Sequence, residues 1–156
     1  MAKILFINAS ENINGNTVKL AVKLLKGLEY QQINLVDYKI YQIGQLYPDD
    51  QFNEIYQAMV DADTIILGTP VYWHDMSAYL KTLIERISQK TGRNELARQK
   101  IALVVQGASP VDGVKMVDKT ISGFCRVGNM DYLGKASASL GLTKLREKIQ
   151  EGIINA

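Results

Sequence analysis

At 156 residues, 47% hydrophobic and 22% charged, the chain can bury one full core without covalent staples, and it fits a single domain over residues 1–156. Its net charge of +2, spread over scattered Lys and Arg residues, lacks the basic run of a nucleic-acid footprint, and no apolar stretch approaches the ~18 residues of a membrane span. The one cysteine, Cys125, forms neither an internal disulfide nor a multi-cysteine metal site, and MAKILFINAS lacks the apolar core and cleavage site of a leader, so a cytoplasmic protein with no metal is expected.

The apolar run Lys3–Asn8 predicts a first, buried strand. A polar loop, ASENINGNT, follows. Val18, Ala21, Val22 and Leu25 then recur at helical spacing behind a cap at Asn16 or Thr17. Gln32–Val36 alternates as a less buried second strand. Residues 37–49 are longer than a normal connection and carry Tyr38, Tyr41 and Tyr47. Phe52, Ile55, Tyr56 and Met59 predict the second helix, capped by Asp50, and Thr64–Gly68 the third strand. TPVYWHDMS, Thr69–Ser77, gathers Pro, Tyr, Trp and the only His before a helix marked by Leu80, Leu83, Ile84 and Ile87, with Ser77 as its cap. Ile101–Val105 predicts the fourth strand. Ser109 and Pro110 open a helix carrying Val114, Val117 and Ile121. Asp131–Ala136 reads as an edge strand, and Leu142, Leu145 and Ile149 as the last helix, capped by Thr143.

Five strand–helix units in one domain predict an α/β, flavodoxin-like three-layer sandwich, with a five-stranded parallel sheet in the order 2-1-3-4-5. Ligands of such sheets bind at the carboxyl ends of the strands, near the point where the order reverses. The loops placed there are 9–16, 69–76 and 106–112, the three of unusual composition. The first offers Ser10, Asn12, Asn14, Asn16 and Thr17 at a helix start. These residues either cap the helix or seat an anion on its free N–H groups. Neither a G-x-G-x-x-G nor a P-loop pattern is present, which favours a single phosphate monoester over a dinucleotide or a triphosphate. A receiver domain would need acidic residues after strands one and three, where Asn8-Ala9 and Gly68-Thr69-Pro70 stand.

Ile7-Asn8-Ala9-Ser10 with Asn14-Gly15-Asn16-Thr17, followed by Thr69-Pro70-Val71-Tyr72-Trp73, Ser77-Ala78, Leu80-Lys81 and Glu85-Arg86, resemble the NAD(P)H-dependent FMN reductase family of flavodoxin-like proteins. The resemblance covers most of the chain and implies bound FMN, with NADH or NADPH as co-substrate and a flavin, quinone or similar small molecule as electron acceptor. It implies that Ser10, Asn12, Asn14, Asn16 and Thr17 hold the phosphate. Pro70, Val71, Tyr72 and Trp73 would line the isoalloxazine, and Gln106, Gly107, Ala108 and Ser109 would border its other side. A homodimer is expected from the same resemblance. Where relatives often carry an Arg in the phosphate loop, this chain has Asn12. Where many carry cysteines after the second strand, it has Ile40-Tyr41-Gln42-Ile43-Gly44-Gln45, which rules out an iron–sulfur flavoprotein and leaves the role of this segment open.

Single residues keep two readings. His74 either donates a proton to an acceptor or is an exposed loop residue. Trp73 stacks on a flavin or anchors a partner subunit. Cys125 reads as a small buried hydrophobe, and Lys81 and Arg86 as solvated or subunit-contacting charges. The rival functions are a flavodoxin-type electron carrier and a flavin-binding protein without turnover.

Overall fold

Alternation of side chains along the central strands builds two separate cores. Ile4 and Phe6 of β1 (Ile4–Asn8), Ile66 of β3 (Thr64–Tyr72), and Ala102 and Val104 of β5 (Lys100–Gln106) face α1 (Asn16–Leu24) and α5 (Leu142–Ile154). Their neighbours Leu5, Ile7, Ile65, Leu67, Ile101, Leu103 and Val105 face α2 (Phe52–Val60), α3 (Ala78–Ser88) and α4 (Val111–Val127). A strand covered on both faces must be apolar throughout, which is why these runs show no polar alternation.

The computed structural model describes residues 2–90, 95–107, 111–138 and 140–154. The parallel strands run β2 (Gln31–Asn34), β1, β3, β5, β6 (Asp131–Ser137) across the sheet, the five-strand order expected from the sequence. A sixth strand, β4 (Asp75–Met76), pairs antiparallel with the end of β3. Among the described residues no helix is long and apolar enough to cross a membrane.

Four boundaries differ from expectation. β2 stops at Asn34 and passes into a 3₁₀ turn over Leu35–Asp37; the Asn34 carboxamide accepts hydrogen bonds from Asn8 (3.1 Å) and Gln32 (2.9 Å), which ties the chain down there. β3 does not end at Gly68 but continues through Pro70 to Tyr72. β1 pairs no further than Asn8–Gly68, so beyond it that side of β3 is an edge, where proline's missing N–H costs no ladder bond. α1 begins at Asn16 with Gly15 as its cap, so Asn16 and Thr17 are helical residues and not caps. Thr143 likewise lies inside α5, after Gly141 at φ 78°. Ser109 and Pro110 fall outside the described residues.

Gly68 sets the closest approach between sheet and site. A Cβ there would sit 2.7 Å from the ring of Phe6 and 3.0 Å from the Thr17 methyl. Phe6 is fully buried and has no room to retreat. Gly68→Ala is expected to cost about 1–3 kcal/mol by overpacking, read as a lowered urea midpoint with an unchanged slope.

Candidate functional site

The loop after β1 is organised by side chains that hold its own backbone. Asn8, fully buried, accepts from the Ser10 N–H (3.2 Å) and donates to the Asn12 carbonyl and to Asn34. The Ser10 hydroxyl in turn accepts from the Asn12 N–H at 3.1 Å. The loop closes on Gly15, whose N–H reaches the Asn12 carbonyl at 3.3 Å. No side chain caps α1. A glycine cap leaves the first-turn N–H groups available to an anion. Asn12, Asn14 and Asn16 are exposed around this helix end, while Ser10 and Thr17 are buried beneath it.

The loop after β3 is a hairpin. Val71 pairs with Met76 and Tyr72 with Asp75, leaving Trp73 and His74 as a two-residue turn with φ of 48° and 65°. Two left-handed residues in succession are the hairpin turn that Asn-Gly ordinarily fills, so bulky residues here cost backbone energy. Trp73 is 96% exposed at the tip, and His74 is exposed beside it. Both side chains stand in solvent at the hairpin tip. Tyr72 instead folds back across the cleft: its hydroxyl donates to the Glu11 carboxylate, which pushes the phenol up to about 12 and holds Glu11 below its ordinary value.

Ser77 joins the two loops. It is fully buried. Its hydroxyl donates to the Ala9 carbonyl at 2.6 Å and accepts from the Leu80 N–H at 3.4 Å, while its own N–H reaches the Thr69 hydroxyl at 3.0 Å. The expected N-cap of α3 therefore also fixes the first loop against the second. From the third loop, Gly107 lies against Val71, as does Gly113 in the first turn of α4: a Cβ on Gly107 would come within 3.1 Å of the Val71 side chain, and one on Gly113 within 2.3 Å. Val71 thus spends its side chain on packing. Gln106 registers with Pro70. Ala108 and Ser109 lie outside the described residues.

Arg86 is not the solvated charge expected from the sequence. It is largely buried and grips Asp50 with two bonds of 2.6 and 3.2 Å. It also donates to the Tyr41 carbonyl at 2.7 Å and lies 4.5 Å from the centroid of Phe52. The guanidinium holds the Asp50 carboxyl below its ordinary value. Asp50 also accepts from the Phe52 N–H at 2.9 Å, which serves the start of α2. Cys125 is 1% exposed, and burial pushes its thiol up to about 12, so it packs as an apolar group.

Sequence reasoning placed Ser10, Thr17, Pro70, Val71 and Tyr72 around this cleft. It missed Asn8, Glu11 and the bridging role of Ser77. The signal available for Asn8 was a polar residue closing a strand that is otherwise wholly apolar.

The sequence pattern of the NADPH-dependent FMN reductases matches residues 2–143. The "Putative NAD(P)H-dependent FMN-containing oxidoreductase YwqN" of Bacillus subtilis is 35% identical over 95 residues, 56% of this chain and 52% of its own. The chain therefore spans about half the length of that relative. An iron–sulfur flavoprotein of Methanocaldococcus jannaschii is 30% identical over 146 residues, 85% of this chain and 76% of its own. Among solved structures, the Trp repressor binding protein of Bacillus subtilis superposes with a TM-score of 0.71 at 21% identity, covering 96% of each chain. The chain belongs to the NADPH-dependent FMN reductase family.

The Arg86–Asp50 pair carries a pH signature. Its carboxyl titrates lower in the folded chain than in the unfolded one, so the stabilisation is complete above about pH 4. It is lost as pH falls through the depressed folded value. Asp50→Asn is expected to lower stability at pH 7 by about 1–3 kcal/mol, and its gap to the unsubstituted chain should narrow below about pH 4. Urea titrations at pH 7 and pH 3 check this.

Proposed function

We propose that this member of the NADPH-dependent FMN reductase family is an FMN-binding oxidoreductase, taking hydride from NADH or NADPH and passing electrons to a small acceptor. The observation that carries the reading is the pairing of an uncapped helix start at Gly15–Asn16 with a backbone shelf at Pro70–Tyr72, locked together by Ser77. A flavin phosphate suits the first and a flat ring the second.

The residues fit the group. Gly15 packs against Asn12 closely enough that a Cβ would meet that side chain at 3.0 Å, so the loop backbone curls tightly around the helix start. In our reading Asn12, Asn14, Asn16 and the N–H groups of the first turn hold the phosphate, with Ser10 and Thr17 shaping the seat from below. Neutral donors and a helix dipole suffice for one phosphate. The one carboxylate in this loop, Glu11, is occupied by Tyr72, which turns its charge away from an incoming anion. Val71 and Tyr72 carry the ring's pyrimidine edge on their backbone, with Pro70 shaping the shelf, and Gln106 and Gly107 bound its far side.

When bound, FMN supplies the hydride chemistry, and the protein supplies placement and electrostatics. The chain's part is to orient the ring, to exclude water along one face, and to leave the other face open for the nicotinamide and then the acceptor. Tyr72, whose phenol stays protonated, remains a hydrogen-bond donor at any physiological pH. His74 lies at the exposed hairpin tip and is a proton donor only if an acceptor reaches it. The 96% exposure of Trp73 on a strained turn favours burial against a second copy of the chain, so we include a homodimer in the reading, together with a cytoplasmic location.

The test is an absorbance spectrum with FMN, before and after NADH or NADPH. Bleaching of the flavin band by either nucleotide is expected. A flavin that stays oxidised until a separate reductase is added would favour the electron carrier, and failure to retain FMN at all would sink every flavin reading. Replacing both Asn16 and Thr17 by Ala should weaken FMN binding about tenfold or more, through lost hydrogen bonds to a charged group; unchanged affinity would reduce them to structural residues.

A further inference from the structure

The segment between β2 and α2 has no part in the phosphate seat or the ring shelf, yet it is firmly built. Lys39 and Gln51 exchange backbone and side-chain bonds (Gln51 N–H to Lys39 carbonyl, 2.8 Å; Lys39 N–H to Gln51 Oε1, 3.0 Å). Asp49 receives Lys39 at 2.8 Å and the Tyr41 hydroxyl at 3.0 Å. The Tyr41 and Tyr47 rings lie 4.5 Å apart, and Arg86 binds the Tyr41 carbonyl and Asp50 together from α3. Every charge named here is paired within the segment or with Arg86.

Between this braced segment and the first turns of α3 lies a cavity of about 370 Å³. Leu35, Tyr38 and Ile40 give it an apolar side, and Tyr41, Gln42, Gln45, Tyr79 and Thr82 a polar one; no charged residue lines it. Among the described residues, the side-chain polar atoms of Tyr38, Gln42, Tyr79 and Thr82 make no hydrogen bond within the protein. Small-molecule sites have this character: a volume of roughly 300–1,000 Å³, apolar and aromatic walls, and a few convergent polar groups. The cavity adjoins the candidate flavin cleft. Tyr79 lines it and also lies near enough to Tyr72 for the two phenols to interact electrostatically, and its other helical wall begins at Ala78, directly after Ser77.

We propose that this cavity is a binding subsite for a planar, uncharged aromatic molecule carrying hydroxyl or carbonyl groups on its rim. A charged ligand would have no counter-ion in these walls and would be penalised by desolvation. A flat ring would lie along Tyr38 and Tyr79, its rim groups meeting Gln42 and Thr82. The role of the ligand, as the molecule that exchanges electrons with the cofactor, rests on the function proposed above; the existence of the subsite does not. The segment where relatives carry cysteines would then be a wall of a substrate pocket in this chain.

The experiment titrates the full chain with 2-naphthol by calorimetry, in the absence of flavin. Saturable binding is expected, weakened about tenfold or more when Thr82→Trp fills the cavity. Ala78→Trp, at the exposed first position of α3, provides a second occluding variant should the first fold poorly. FMN affinity should be the same in both variants as in the parent chain. No saturable binding, or equal binding to parent and occluded chains, overturns the subsite. With FMN bound, the occluded variants should raise the KM for 1,4-naphthoquinone about tenfold; an unchanged KM alongside lost 2-naphthol binding overturns its role as an acceptor site. A parent chain that retains no FMN while binding 2-naphthol would refute the flavin reading and leave the subsite standing.

Discussion

The buried hydroxyl of Ser77 is the constraint on which the cleft depends. It bonds to the Ala9 carbonyl at 2.6 Å while capping α3, and so ties the end of β1 to the start of the helix that follows β3. Loops that leave adjacent strands are free to move apart unless something fixes them. Here one side chain meets both needs at a site with no water access, where an unmet carbonyl or N–H would cost about 1–3 kcal/mol. The loops after β1 and β3 are therefore tied into a single unit. Gly68, opposite Asn8 in the sheet, allows the first turn of α1 to press close to β3, and Gly107 and Gly113 allow the third loop and α4 to close on Val71.

Around that unit the chain places its conformational strain and its exposed apolar surface together. Trp73 and His74 occupy left-handed backbone, and the Trp73 ring stands in solvent. Strain of this kind persists where the surrounding structure over-determines it and gathers at ligand sites and switches. The short β4 pairing and the Tyr72–Glu11 bond both restrain the hairpin. On the opposite side of α3, Arg86 performs a comparable task for the 37–51 segment by gathering Asp50 and Tyr41. The helix capped by Ser77 thus carries the groups that organise both the loops after β1 and β3 and the 37–51 segment.

The layers of the fold were legible because hydrophobic period is set by which faces are covered. Phe6 and Ile7 had to face opposite ways, and helical stripes such as Leu80-Leu83-Ile84 had to meet a sheet. The loop composition pointed to the carboxyl ends of the strands because exposed polar residues such as Asn14 and Asn16 following an apolar strand are not needed to pack it. Arg86 was misread because helical position does not reveal what a neighbouring segment delivers; Asp50 arrives from a stretch with no regular structure of its own. β3 was cut short at Gly68 because proline normally ends strands, and only the sheet order shows that Pro70 lies on a free edge. Glu11 and Ser77 act through bonds to Tyr72 and to the Ala9 carbonyl, groups distant in sequence that no local pattern records.

The central claim is that the uncapped start of α1 holds a phosphate joined to a ring on the β3 shelf. The most direct measurement compares FMN with riboflavin, which lacks only the phosphate, by fluorescence titration of the same protein. FMN is expected to bind at least about tenfold tighter, the worth of a few charge-assisted hydrogen bonds at a helix N-terminus. Equal affinities for the two flavins would contradict the account.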